Sequence, residues 1–167
     1  MEIKALQVKE LRDMSGVAMM ECKKALVECE GNIEKALDLL RSNSSLKAEK
    51  KASRVAADGV IRIIATDNYA TIIEINSETD FAAKDAGFIA FADEVATFIT
   101  NNKMNNAEEF LNTEIEEKRL SLVQTIGENI QLRRIETIDF NSSMSVGSYI
   151  HSDGKLATLV VTDSSES

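Results

Sequence analysis

The hydrophobic period of this chain changes at Asp58, and that change constrains the fold more than any other feature. Before it, apolar residues recur every three or four positions; after it come runs of Ile, Val and Thr separated by turn residues. A period near 3.6 lays a stripe along a helix, whereas β-branched runs fit a pleated sheet. A chain of 167 residues that does both in this order is of the α+β class: a helical module, then an antiparallel sheet with a helical layer.

Val8, Leu11 and Met14 predict a first helix, broken by Ser15-Gly16. Ala18, Met19, Cys22, Ala25, Leu26 and Cys29 form a second stripe that Gly31 stops. Asn32 is suited to cap a third helix, on which Ile33, Ala36, Leu37 and Leu40 follow at helical spacing. Helices this short must pack on one another. The polar stretch Ser42–Ser45 is expected to end the bundle, and LKAEKKASRVAA to follow as a basic helical linker. Module and linker together occupy residues 1–55.

Beyond Asp58, GVIRIIAT and YATIIEIN predict a β-hairpin across Asp67-Asn68. Phe88, Phe91, Val95 and Phe98 then mark the helix that covers it. A further helix is expected within residues 106–125, carrying Phe110, Leu111, Ile115, Leu120 and Leu122 and ended by Gly127. NIQLRRIETIDF reads as a third strand alternating through Ile130, Leu132 and Arg134. These elements make a first core lobe over residues 56–140. VGSYIHS and KLATLVVT predict a hairpin across Asp153-Gly154, within residues 141–167, and the tail TDSSES is expected to fray.

Charge and inventory exclude most function classes. The net charge is −9, yet residues 1–54 hold 11 basic against 9 acidic side chains and the remainder 8 against 19. The acidic part repels phosphate backbones, and eight aromatics without a Trp make no stacking platform, so direct nucleic-acid binding is disfavoured. From charge alone, the run Lys47, Lys50, Lys51 and Arg54 reads as a solvated helix face. Cys22 and Cys29 lie two helical turns apart, too far for a disulfide, and read as buried hydrophobes in a reducing compartment. Cys/His metal spacing, a phosphate-cradling Gly motif, a signal peptide and a membrane-length apolar run are all missing from the pattern. No cofactor or metal is assigned, no membrane contact is expected, and a cytoplasmic location is. His151 is the lone histidine, with no nucleophile elbow to serve, and Glu78/Asp80 is the nearest approach to a carboxylate pair. The inventory speaks against an enzyme, and no catalytic residue is named.

One junction stands apart. Between the second strand and the next helix lies SETDFAAKDAGF, with Phe81 directly behind Glu78, Thr79 and Asp80. Thr79 or Asp80 is suited to cap the helix. The pattern leaves two readings for Phe81. Either it folds back as an anchor on the sheet, or it is an exposed acidic–aromatic tip that enters an apolar pocket of a partner while the carboxylate acts on a charge there.

The sequence resembles the elongation factor Ts family, guanine-nucleotide exchange factors of the GTPase elongation factor Tu. VKELRDMSGVAMMECKKALVECEGNIEKALDLLR is similar to the family's ubiquitin-associated-like N-terminal module, and KKASRVAADGVI to its link into the core. INSETDFAAKDAGFIAFADEV carries the most diagnostic block; IGENIQLRRI and VGSYIHSDGKLATLVV resemble the returning strand and the opening of a second lobe. The resemblance implies that Thr79, Asp80 and Phe81 enter the GTPase beside its magnesium and phosphate site, Phe81 inserting its ring and Asp80 helping to displace what holds the metal. It further implies that Val8, Lys9, Leu11, Met19, Met20 and Lys51 meet the GTP-binding domain. Met19 fits the core stripe, while Met20 is the better placed to face a partner. Tyr149 and His151 are implied contacts of the second lobe with the β-barrel domains. The partner would be taken in its GDP-bound and nucleotide-free forms.

Two departures accompany the resemblance. Ala18 stands where the family commonly has a second Gly after the first helix. Residues 141–167 resemble only the start of the second lobe, so the chain is expected to be a fragment, a short form, or one that completes its core as a homodimer. Val146, Leu156, Leu159 and Val160 would otherwise leave an apolar strand edge open. An alternative follows from the incomplete lobe: a docking or assembly module that binds elongation factor Tu without efficient exchange.

Overall fold

The computed structural model describes residues 3–163. In chain order its elements are α1 (Ala5–Ser15), α2 (Met19–Glu28), α3 (Ile33–Lys51), β1 (Asp58–Ala65), β2 (Tyr69–Ser77), α4 (Asp80–Ala83), α5 (Ala86–Asn101), α6 (Ala107–Phe110), α7 (Glu114–Ile126), β3 (Gln131–Asp139), β4 (Met144–Ile150) and β5 (Ala157–Asp163). The class is α+β. Two compact units divide the chain: one holds it up to Arg54 together with Glu117–Asn129, the other holds Val55–Glu116 and the chain from Ile130 onward.

In the first unit Val8, Leu11, Val17, Cys22, Ala25, Leu26, Ala36 and Leu40 form one core. Gly16, at φ 66°, closes α1 by donating its N–H to the Arg12 carbonyl at 2.8 Å. Asn32 caps α3, its Oδ1 accepting from the Lys35 N–H at 2.9 Å. Met14 and Met19 are exposed rather than part of the core. The α1 stripe runs on through Ser15, whose Oγ meets the Cys22 thiol and the Val17 N–H, and the buried Val17 is itself a member of the core that α2 packs against.

The third helix does not stop at Ser42–Ser45; it is continuous to Lys51. Its buried residues Ala36, Leu40, Ser44 and Ala48 keep a strict four-residue spacing, so the stripe passes through the polar stretch. Ser44 Oγ donates to the Leu40 carbonyl at 2.9 Å and also meets the Gln124 side-chain amide, which satisfies the hydroxyl inside the unit. The helix expected within 106–125 is two, α6 and α7, with Phe110 buried and Leu111 exposed. Thr113 Oγ1 donates to the Phe110 carbonyl at 2.7 Å, a local bond that competes with helix continuation. Glu117–Asn129, expected with the 56–140 lobe, packs in the first unit instead. There Ser121 and Thr125 donate to the carbonyls of Ser15 and Gly16, Lys51 donates to that of Gly127, and Asn129 Nδ2 donates to that of Arg54.

In the second unit β1, β2 and β3 form an antiparallel sheet in that order. Phe88, Phe91, Val95 and Ile99 of α5 are buried against it, with Val60, Ile73 and Ile75 among the buried sheet residues. Tyr69 ties the far end, donating its hydroxyl to the Thr100 carbonyl at 2.8 Å. The alternation expected of β3 fails at Arg133-Arg134. A bulge opposite Glu74/Ile75 shifts the register, so that Ile135 rather than Arg134 is buried beside Ile73. Both arginines then reach the Glu74 carboxylate, at 3.3 and 2.7 Å. β4 and β5 form a separate two-stranded hairpin. Asp163, placed in the frayed tail by the sequence, is in β5 beside Thr162; the rest of that tail lies outside the described residues.

Candidate functional site

The end of β2 is built to start a short turn. Ser77, fully buried, donates its Oγ to the Thr79 carbonyl at 3.0 Å. Thr79 is extended (φ −128°, ψ 161°) and caps α4, its Oγ1 accepting from the Ala82 N–H at 3.3 Å. Ala82 and Ala83 are buried and pin the turn to the sheet. Asp85 then caps α5, its Oδ1 accepting from the N–H groups of Gly87 and Phe88 at 2.8 and 3.2 Å.

Two caps six residues apart leave a single short turn, and its outer side carries Phe81, 83% exposed. The inward-folded reading of Phe81 is therefore wrong. Burying such a ring would contribute roughly 1.5–3 kcal/mol, and the fold does not use it. Asp80 beside it pairs with Lys84, Oδ2 to Nζ 2.7 Å. The Lys84 hydrogen bond and charge hold the Asp80 carboxyl below the ordinary aspartate range, against some desolvation and the nearby Asp58 charge. The turn thus presents an ionised carboxylate next to an uncovered phenyl ring.

The remaining candidates divide. Val8 and Leu11, implied as partner contacts, are buried at 6% and 0% in the core of the first unit, because α1 turns that face onto α2 and α3; their side chains are unavailable as surface. Lys9, Met19 and Met20 are exposed. Lys51 is half-buried with its ammonium on the Gly127 carbonyl. Tyr149 and His151 are both exposed and adjoin, the hydroxyl 2.9 Å from Nδ1. Ser77, Lys84 and Asp85 were missed by sequence reasoning. The i, i+4 spacing of Asp80 and Lys84 was the signal available for one of them. Among the described residues no group of three or more His, Cys, Asp or Glu is placed to hold a metal ion, and no helix is long and apolar enough to cross a membrane.

Comparison with known proteins decides the family. The family model described as elongation factor TS matches residues 78–167, beginning at this junction and covering more than half of the chain. The chain belongs to the elongation factor Ts family. Curated relatives named elongation factor Ts include that of Hahella chejuensis, 48% identical over 160 residues. That of Haemophilus influenzae (strain PittGG) is 47% identical over 165 residues, and that of Histophilus somni (strain 2336) 46% over 165. These alignments cover 95–99% of this chain and 55–56% of the relatives. The chain thus spans about half the length of the elongation factor Ts proteins it matches.

Proposed function

We propose that this chain acts as a guanine-nucleotide exchange factor on elongation factor Tu, with the Thr79–Phe81 turn as its working part. The observation that carries the reading is the 83% exposure of Phe81 on a turn capped at both ends. A large ring held out of its own core on a turn anchored by two caps and two buried alanines is suited to a pocket on another protein. Asp80, ionised and adjacent, brings negative charge to where the GTPase holds magnesium against phosphate. Weakening the metal's hold removes the charge that bridges the phosphates, and GDP leaves faster. No bond is made or broken, so the factor needs neither catalytic base nor cofactor. It must only bind the nucleotide-free partner better than the GDP-loaded one. Lys9, Met19 and Met20 would give the helical unit its own contact, and Tyr149 with His151 a further one. The cytoplasm, where translation runs, is the corresponding location.

Release of fluorescent GDP from purified elongation factor Tu tests this. The chain should accelerate it, and Asp80→Ala/Phe81→Ala should remove most of the acceleration while the melting temperature holds, since neither side chain supports the core. Complex formation with unchanged GDP release would favour the docking-module reading, which the limited coverage of the relatives keeps in view. An unchanged rate with no complex would sink both.

A further inference from the structure

We infer that Lys155, on the turn of the β4–β5 hairpin, is a positioning residue for the Thr79–Phe81 turn and acts on it through Asp58. The functional consequence rests on the exchange reading above; the structural one does not.

Asp58 opens β1 and lies opposite Ser77, the residue that holds the Thr79 carbonyl. Its backbone is locked to the end of β2. Asn76 Nδ2 donates to the Asp58 carbonyl at 2.8 Å, and Gly59 passes so close to β2 that a Cβ there would sit 2.1 Å from the Ile75 carbonyl oxygen. Both oxygens of the Asp58 side chain are engaged. Oδ1 accepts from the Gly59 N–H at 2.8 Å, and Oδ2 meets Lys155 Nζ at 2.7 Å. The hairpin turn that carries Lys155 is itself anchored on β1: the buried Gly154 accepts from the Ile61 N–H at 2.7 Å.

The hairpin turn and α4 face each other across a cavity of about 550 Å³, with Asp80, Ala83 and Lys84 among its lining residues from one element and Ser152, Asp153 and Lys155 from the other. Lys155 therefore ties the hairpin to the strand end from which the tip projects. Its positive charge also balances Asp58, whose negative charge otherwise bears on Asp80. Without Lys155, a largely covered carboxylate loses its partner beside a second carboxylate, and the strain falls on the turn between them. The lysine end of the pair is 43% exposed, and an ion pair open to solvent on one side adds little to global stability, so the effect is expected to be local.

The test uses the whole chain, with Lys155→Met to remove the charge while keeping the stem and Lys155→Arg to restore it. Amide hydrogen exchange at Ala82, Ala83 and Lys84, whose N–H groups close the turn, should be about three- to ten-fold faster in Lys155→Met and near native in Lys155→Arg. Amides of β2 and β3 should be unchanged. In GDP release, Lys155→Met should lower the saturating rate about three-fold or more and leave the half-saturating concentration within about two-fold. Unchanged protection of the turn overturns the inference. So does equal loosening of the whole sheet, or a shift confined to the half-saturating concentration, which would make Lys155 a contact residue. If the native chain does not accelerate release at all, the exchange reading falls, and the amide measurement alone decides the role of Lys155.

Discussion

At Gly59 the backbones of β1 and β2 approach so closely that no side chain fits. The residue has φ +146°, and an added Cβ would meet both the Ile75 carbonyl and the Asn76 Cα. Gly59→Ala should cost about 3 kcal/mol or more, since strain and overlap act together; a urea titration of the sheet unit reads it, and a loss under 1 kcal/mol would show the strand can shift. The Asp58–Lys155 pair sets a pH window. Asp58 is held below the ordinary aspartate value by the Lys155 hydrogen bond, so its stabilisation is complete above that value and is lost as pH falls through the lowered one. Lys155 is raised by Asp58, so its share is complete below the ordinary lysine value and is lost only above it. Protection of the α4 amides should be flat from about pH 5 to pH 9 and decline in acid. Lys155→Met should weaken that acid decline; an identical acid profile in the variant would remove the pair from the account. Phe81 shows the limit of reading one residue from sequence. An aromatic at a strand end packs inward more often than not, and it is the pair of caps around it, Thr79 and Asp85, that turns the ring outward.

Helix ends were legible because capping is local chemistry. Asn32 takes the Lys35 N–H that α3 would otherwise leave unpaired. Asn32→Ala should therefore cost about 1 kcal/mol, seen as a lower urea midpoint for the helical unit with an unchanged slope; no shift would mean that water serves the N–H equally well. The hairpin at Asp67-Asn68 was legible for the same reason, as Thr66 and Tyr69 close a turn that its residues favour. What was not legible depended on partners distant in sequence. Ser42–Ser45 looks like a helix end until Gln124, eighty residues on, supplies a partner for Ser44. Without that bond, serines compete with the helix for its own backbone. The bulge in β3 is likewise invisible in IQLRRIE. It is fixed by the Glu74 carboxylate receiving two arginines side by side, which a regular strand would send to opposite faces.

At the scale of the molecule, the helical unit is discontinuous: α1–α3 are completed by a segment that begins at Glu117. A change of hydrophobic period marks where elements change type, and it carries no information on which distant segment returns. The tip's own sequence block was readable because its residues are consecutive, whereas the Asp58–Lys155 pair that ties its strand to the hairpin joins residues 97 positions apart. The proposed function makes one demand on the whole molecule that no single contact supplies. If the chain speeds GDP loss by binding the nucleotide-free partner preferentially, the two ligands must weaken each other by one common factor. The affinity of the chain for nucleotide-free and for GDP-loaded elongation factor Tu should differ by the same ratio as the affinity of GDP without and with the chain bound. A coupling of the usual size places that ratio at about 5–150. Calorimetry on both arms of the cycle measures it. On the proposed reading, in which the tip distinguishes the two states of the partner, Asp80→Ala/Phe81→Ala should shrink the two ratios together toward one. A variant that binds more weakly in both arms, with the ratio preserved, would place the tip in docking and leave the coupling to another surface.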